Sequence, residues 1–333
     1  MRPVKTLLLH LIERVGGFYL LRYFQKSNPV ILMYHRIIND GLINGLTPDE
    51  FEQQIIYIKK HFTVMPIDEL IKDVTQNKVK PYSLALTFDD GHYDFYINAW
   101  PILKKYNLPA SIYVTTGFVD GTTWLWPDLL KYILLNSKAT HLDTTDIGAP
   151  QIGVLSTETE HHYTSWHQLG DYCLTLKAED RNHFLHALAR QAHIDLSDSP
   201  QPPFHSVTWS QLNEMVKDGL SVGSHTVTHP ILSSLNKENL DYELRTSAEA
   251  ILKNLGLSAI GICYPNGRAE DINEDVIKTA KKLGYTYGLM GRNSTLKKTS
   301  LFKIGRIAAN KNFFYFRWTL ARRKQDINST YIQ

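Results

Sequence analysis

The sequence has little cysteine and little net charge, and each shortage excludes something. Its two cysteines among 333 residues, Cys173 and Cys263, form no Cys-x-x-Cys pair, so neither a cysteine-based zinc site nor a disulfide framework has its raw material. Thirty-six basic residues against 33 acidic ones leave a formal charge of +3, too even a balance for a nucleic-acid stripe. Neither common Gly-rich phosphate loop is present. No apolar run approaches the roughly 20 residues that a membrane-spanning helix needs. What is there is ordinary for a globular chain, 43% hydrophobic and 21% charged residues. At roughly 150 residues per domain the length allows two domains, or one large α/β domain with an insertion. Histidine is the exception, with fourteen copies. Any metal must therefore be held by His, Asp or Glu.

The N-terminus has Lys5 before an apolar run that Glu13 and Arg14 cut short, which fits neither a cleavable signal nor a spanning helix. Leu8, Leu11, Ile12, Val15, Phe18 and Tyr19 recur at helical steps, so residues 1–28 read as an amphipathic helix, weakened at Gly16-Gly17. Such a helix packs on its own domain or lies on a membrane surface. The C-terminal stretch 311–333 has a similar aromatic and basic character in Phe313, Phe314, Tyr315, Phe316, Arg317 and Trp318, followed by Arg322, Arg323 and Lys324. Peripheral membrane contact is an expectation drawn from these two ends. The lack of a cleavable signal points to the cytoplasm or the inner-membrane surface, with the extracytoplasmic side left open.

Between the ends, short apolar runs alternate with helical patterns. Pro29-Val30-Ile31-Leu32-Met33-Tyr34-His35 reads as a buried strand with His35 at its C-terminal edge. Thr47-Pro48-Asp49-Glu50 opens a helix with a capping pattern, and Leu84–Phe88 is a strand ending in Asp89-Asp90-Gly91. Further helices and strands follow, including Leu220–Gly223 leading into Ser224-His225-Thr226-Val227-Thr228-His229. The alternation implies parallel strands with crossover helices, an α/β sheet or barrel. From about 121 to 207 the rhythm stops in a helix-like, aromatic stretch that reads as an insertion closed by Pro200-Gln201-Pro202-Pro203.

In parallel α/β folds the loops after the strands converge on one face. That convergence brings Asp89-Asp90, His225 with His229, and His35 into one region. Two histidines and one carboxylate suit Zn²⁺ or a similar divalent ion with a position left open, and the second carboxylate is then a ready general base. Taken singly, a His-x-x-x-His spacing, an Asp-Asp-Gly turn and a lone histidine each have bland structural explanations; their placement after buried strands is what joins them.

Thr87-Phe88-Asp89-Asp90-Gly91 and Ser224-His225-Thr226-Val227-Thr228-His229 resemble the first two motifs of the polysaccharide deacetylases with a NodB-homology domain, carbohydrate esterase family four. The resemblance spans about 29–310 and implies a distorted (β/α) barrel with a largely helical insertion, a divalent metal (Zn²⁺ first, with Co²⁺, Mn²⁺ or Ni²⁺ as alternatives), and hydrolysis of N-acetyl groups on an N-acetylated glycan, polymeric or lipid-linked. By position, Asp89 is the base, and Asp90, His225 and His229 hold the metal. The third motif departs from the family: Cys263-Tyr264-Pro265-Asn266-Gly267 carries Cys263 where an arginine normally pairs with the base, so Arg306 or Arg292 is expected to substitute. No histidine follows His229, so the acid role goes to His35, as in the poly-N-acetylglucosamine deacetylase subgroup, which begins with a Tyr-His strand. The amide around Asn266 is expected to face the oxyanion. Tyr264, Pro265 and Trp124 are candidate sugar contacts, because aromatic rings stack on the C–H faces of pyranoses. An O-acetyl esterase on a polysaccharide, or a carbohydrate-binding member of an envelope polysaccharide pathway with weak catalysis, are the rival readings. No nucleic acid and no obligate protein partner is expected.

Overall fold

The computed structural model describes residues 3–40, 43–291 and 301–323; Arg292 and Lys324 fall outside them. In chain order the elements begin with α1 (Pro3–Arg14), α2 (Gly17–Phe24), β1 (Val30–Tyr34), α3 (Pro48–His61), β2 (Thr63–Val64), α4 (Ile67–Thr75) and β3 (Ser83–Phe88). Next come α5 (Trp100–Tyr106), β4 (Ser111–Val114), α6 (Thr116–Val119), α7 (Trp126–Asn136), β5 (His141–Asp143), β6 (Val154–Ser156), α8 (His162–Cys173) and α9 (Ala178–Gln191). The chain continues through α10 (Trp209–Lys217), β7 (Ser221–Ser224), α11 (Lys237–Leu255), β8 (Gly261–Cys263), α12 (Glu274–Lys282), β9 (Tyr287–Met290), β10 (Ile304–Gly305), β11 (Ile307–Ala308) and α13 (Phe313–Arg322).

The main sheet runs β10-β9-β8-β7-β4-β3-β1-β11, and its pairings are parallel. β10 and β11, the two ends of that order, are separated only by Arg306. One short stretch of chain therefore pairs with β9 and then with β1, which closes the sheet into a distorted barrel. β1 and β3 are buried along their whole lengths, which accounts for their unbroken apolar runs: strands covered on both faces do not alternate. The sequence positions the helices through local chemistry. Thr47 and Glu50 exchange side-chain and backbone bonds in a full capping box that starts α3, and Gly256, at φ 68°, stops α11.

The stretch that breaks the alternation holds α7, α8 and α9 with the antiparallel hairpin β5–β6. These pack around a core of their own, including Trp126, Leu130, Leu142, Leu169, Phe184 and Leu188.

The N-terminal pattern forms two helices rather than one, with Gly16 at φ 79° between them. Their orientation corrects the expected apolar stripe. Leu9 and Phe18 face inward onto Trp318 and Ala321 of α13, whereas Leu8, Leu11, Val15 and Tyr19, which set the periodicity, are exposed along with Leu20, Tyr23 and Phe24. The C-terminal aromatics are largely committed elsewhere, since Phe316 and Trp318 are buried and Arg317 pairs with Glu13 at 2.6 Å. No described helix is long and apolar enough to cross a membrane.

Candidate metal centre and active site

The register of the barrel assembles the site. Tyr34 pairs with Phe88 and the Asp89 N–H donates to the Tyr34 carbonyl at 3.1 Å, so His35 and Asp89 leave adjacent strands side by side. On the next strands the Thr115 N–H donates to the Asp90 carbonyl, and the His225 N–H to that of Val114. The His-x-x-x-His spacing is carried by a loop, not a helix. Thr226 and His229 take left-handed φ values of 70° and 58°, and Asp90 and Asn266 do the same at 75° and 57°. Non-glycine residues rarely hold this conformation, and it concentrates where surrounding structure enforces it at functional sites. Here the enforcement is visible: Glu243 of α11 accepts from the Val227 and Thr228 N–H groups at 2.8 and 3.0 Å and from the Thr228 hydroxyl at 2.6 Å.

Asp90 Oδ1 lies 3.3 Å from His225 Nε2 and 3.7 Å from His229 Nε2, and one atom from each of the three falls within 4.8 Å of the others. His225 Nδ1 is 2.7 Å from the Cys263 carbonyl. A carbonyl can only accept, so Nδ1 carries a proton and Nε2 is the nitrogen turned toward the Asp90 carboxylate. Burial opposes a charged ring, but Cys263, Asp90 and Asp89 around it raise the His225 pKa well above its ordinary value, so a proton bridges Nε2 and Asp90; a divalent ion would take that proton's place, and two imidazoles with a carboxylate suit Zn²⁺-like ions. A second group, Asp89, His225 and Cys263, is equally close but does not fit a cation. Arg306 already places its charge there, with Nη2 at 2.9 Å from Cys263 Sγ, and burial holds the thiol above its ordinary pKa, hence protonated.

Asp89 is almost fully buried, and Arg306, itself buried, donates to both its oxygens, Nη1 to Oδ1 at 2.7 Å and Nη2 to Oδ2 at 2.6 Å. Arg306 Nε is anchored on the Met290 carbonyl at 3.1 Å. Burial alone would push the Asp89 carboxyl up, but the guanidinium outweighs it and holds the group below the usual range, ionised at neutral pH. The arginine missing from the Cys263 position is thus supplied by the strand that closes the barrel. Cys263 stays in the network, its thiol 3.3 Å from Asp89 Oδ2. His35 Nε2 lies 3.8 Å from the same oxygen; enclosure lowers its pKa against the pull of Asp90 and Asp89. The Asn266 N–H has no acceptor among the described residues.

More than half of the chain, residues 76–144 and 171–288, matches the family model described as polysaccharide deacetylase. The chain belongs to the polysaccharide deacetylase family. The match breaks at 145–170, over β6 and the start of α8. A poly-beta-1,6-N-acetyl-D-glucosamine N-deacetylase of Staphylococcus epidermidis is 24% identical over 308 residues, covering 87% of this chain and 82% of the relative. Among solved structures, IcaB from Ammonifex degensii aligns with TM-score 0.59 at 17% identity over 89% of this chain and 97% of that one. The Streptococcus pyogenes deacetylase PplD, in complex with acetate, aligns with TM-score 0.58 at 22% identity over 88% and 98%.

The deacetylase does not use every residue singled out from its sequence in the expected way. Tyr264 is buried and its hydroxyl donates to the Phe302 carbonyl at 3.1 Å, so it supports the core rather than a sugar, and Pro265 is buried beside it. Trp124 is not among the residues lining the space at the candidate metal residues; it borders a neighbouring cavity, its Nε1 donates to the Ser197 carbonyl at 2.9 Å and its ring packs on Tyr132. The aromatic over the catalytic cavity is Trp166, which lines a space of about 40 Å³ together with His35, Asp90, His229, Asp128 and Lys131. That space holds a few waters or an acetyl group. Asp128 of α7 and His92, whose Nε2 stands 3.5 Å from both Asp90 Oδ2 and Asp128 Oδ2, also belong to the site. The Asp-Asp-Gly-His sequence hints at His92, but nothing local marks Asp128, which arrives from another layer.

Proposed function

We propose that the deacetylase is a metal-dependent hydrolase that removes N-acetyl groups from an N-acetylhexosamine-containing glycan, polymeric or lipid-linked. The observation that carries the reading is the Asp90–His225–His229 cluster set beside an arginine-held Asp89 and His35. The name of the S. epidermidis relative supports an N-acetylglucosamine polymer as the substrate class. Asp90, His225 and His229 would hold the divalent ion, which when bound supplies Lewis-acid polarisation at the acetyl group.

The remaining chemistry falls to the chain itself. Asp89 is kept ionised by Arg306 and accepts the proton of the attacking water; the fixed guanidinium stops the carboxylate from rotating away. The Asn266 N–H is the donor available to the developing oxyanion. His35 carries a proton to the leaving amine. Since enclosure lowers its pKa, the protonated form thins out as pH rises through the lowered value, so kcat/KM is expected to fall on the alkaline side. His35→Gln is expected to lose about 10²- to 10⁴-fold in kcat together with that alkaline limb; an unchanged profile would assign the acid role elsewhere. Acetate release from an N-acetylglucosamine oligomer, with and without chelator, tests the reading as a whole. Faster turnover of an aryl acetate than of any N-acetyl sugar would favour ester over amide chemistry.

The outer face of α1 and α2 supports a place at a membrane surface. Leu11 at 58%, Val15 at 72% and Phe24 at 77% exposure leave large apolar groups in water, beside exposed Arg14 and partly exposed Lys26, the composition of an interfacial helix. The protein is expected to float with vesicles containing anionic lipid. Because each large apolar side chain is worth about 1.5–3 kcal/mol on full burial, Leu11→Glu with Phe24→Glu is expected to weaken binding on the order of 100-fold. Wild-type protein that stays at the bottom of the gradient removes the membrane from the picture.

A further inference from the structure

Arg181, at the fourth position of α9, is 4% exposed, and no ion pair or hydrogen bond reaches its guanidinium among the described residues. Its Nε is buried without a partner. The neighbours supply no counter-charge: the Trp126 ring lies 5.1 Å from the guanidinium carbon, and burial pushes the Cys173 thiol up to about 12, so it is neutral. Glu179 and Asp180 on the same helix are exposed, and neither forms an ion pair with Arg181 among the described residues. A buried guanidinium is costly unless an anion meets it.

The guanidinium does not face solid core. It lines a cavity of about 360 Å³ whose other walls include the polar side chains of Thr123, Asn182, His186 and Ser197, with Trp124 as an aromatic wall. One carboxylate, Asp198, also lines it; that residue is exposed and makes no ion pair with Arg181 among the described residues. That volume lies in the range of small-ligand sites and exceeds what a lone ion needs. Ala178, the first residue of α9, is also at the cavity, and that helix start has no side-chain cap, which adds a positive partial charge. The cavity adjoins the candidate metal centre through two short segments. Thr228 and Pro230 line it while His229 between them faces the catalytic space, and Trp126 lines it while Leu125 and Pro127 on either side face the catalytic space.

We propose that this cavity is an anion-binding subsite in which Arg181 takes an acidic group of the glycan, a phosphate or a carboxylate, while the acetamido group to be cleaved lies at the Asp90–His225–His229 cluster. The substrate is then an acidic N-acetylated glycan rather than a neutral one. This deepens the proposed function and rests on it for the position of the acetamido group.

The test compares three N-acetylglucosamine oligomers of equal length: a neutral one, one with a phosphate monoester at its reducing end, and one with a carboxylate-bearing sugar. Wild-type enzyme is expected to show at least a tenfold lower KM for one acidic oligomer than for the neutral one, and that preference is expected to shrink as salt rises; the arm that shows it identifies the group. Hydrogen bonds to charged groups are worth about 1.5–3 kcal/mol, so Arg181→Gln is expected to raise KM for that oligomer roughly 10- to 150-fold, with kcat little changed and KM for the neutral oligomer moved far less. Arg181→Lys is expected to recover part of the preference. No preference in the wild type, or equal losses on acidic and neutral oligomers in Arg181→Gln, overturns the subsite. If no oligomer releases acetate, the deacetylase reading has failed instead, and calorimetric binding of the phosphorylated and neutral oligomers to wild-type protein and Arg181→Gln still decides the role of Arg181.

Discussion

Replacing Asp89 by asparagine is expected to leave the metal in place and to cut turnover by about 10²- to 10⁴-fold, the range for a lost general base, whereas His225→Ala is expected to lose metal and turnover together. The two carboxylates are adjacent in sequence but have separate environments. Asp90 faces His225 and His229, while both oxygens of Asp89 are occupied by Arg306. An asparagine at 89 would turn an amide N–H₂ toward one arm of the guanidinium, donor against donor. Removing one partner of a buried pair costs about 3–5 kcal/mol, so a lower melting temperature is expected as well, and metal must be counted per folded molecule. His225→Ala removes the Nε2 ligand and the bond that orients it on the Cys263 carbonyl. Metal analysis beside acetate release separates the outcomes: full turnover in Asp89→Asn, or full metal content in His225→Ala, reverses the assignment.

Much of this site is legible in the sequence because its residues sit where regular structure stops. An apolar run of strand length that ends abruptly in Asp-Asp-Gly or Ser-His-Thr marks a strand delivering polar groups, and parallel topology does the rest. Strand positions were readable for the same reason: Leu84–Phe88 and Leu220–Gly223 are expected, Ser83–Phe88 and Ser221–Ser224 observed. Groups that depend on packing between distant layers were harder to read. Periodicity identifies the N-terminal segment as helical but does not say which side of Leu8, Leu9 and Leu11 meets α13, and the stripe with the better spacing is the exposed one. Trp124 and Trp166 are equally good sugar-stacking candidates in a string of letters, and only the fold of α7 and α8 decides that Trp166 overlooks the catalytic space. Asp128 and Arg181 carry no motif at all. Arg306 was one of two expected substitutes for the missing arginine, and what selects it is barrel closure: the residue between the half-strand on β9 and the half-strand on β1 reaches Asp89 across the floor of the site.

That placement makes Arg306→Met the most damaging single change expected outside the metal ligands. Methionine fills similar space but leaves the Asp89 carboxylate buried beside the Cys263 thiol and the His35 ring with no fixed cation, at an expected loss of about 3–5 kcal/mol in stability. The sign of the pH dependence reverses with it. In the native protein the folded Asp89 pKa is depressed, so the stabilisation is fully present above the unfolded value near 4 and is lost as pH falls through the depressed one. Without the guanidinium, burial dominates and raises the pKa, so the fold then favours the protonated acid, and the base is ionised only at higher pH. The acid limb of kcat/KM is expected to move upward by a pH unit or more in Arg306→Met, a shift that a merely loosened barrel would not produce. Arg306→Lys is expected to recover little, because one ammonium cannot meet both Asp89 oxygens, Cys263 Sγ and the Met290 carbonyl together. The informative rescue is Cys263→Arg in the Arg306→Met background. Cys263 Sγ is 3.3 Å from Asp89 Oδ2, and the space vacated by Arg306 gives a new guanidinium room to approach the carboxylate from β8, the position the wider family uses. Return of the acid limb toward its native position in the double variant would establish that the charge, not the strand it comes from, sets the base; a double variant as shifted as Arg306→Met would show that the fork geometry from the closing strand is required.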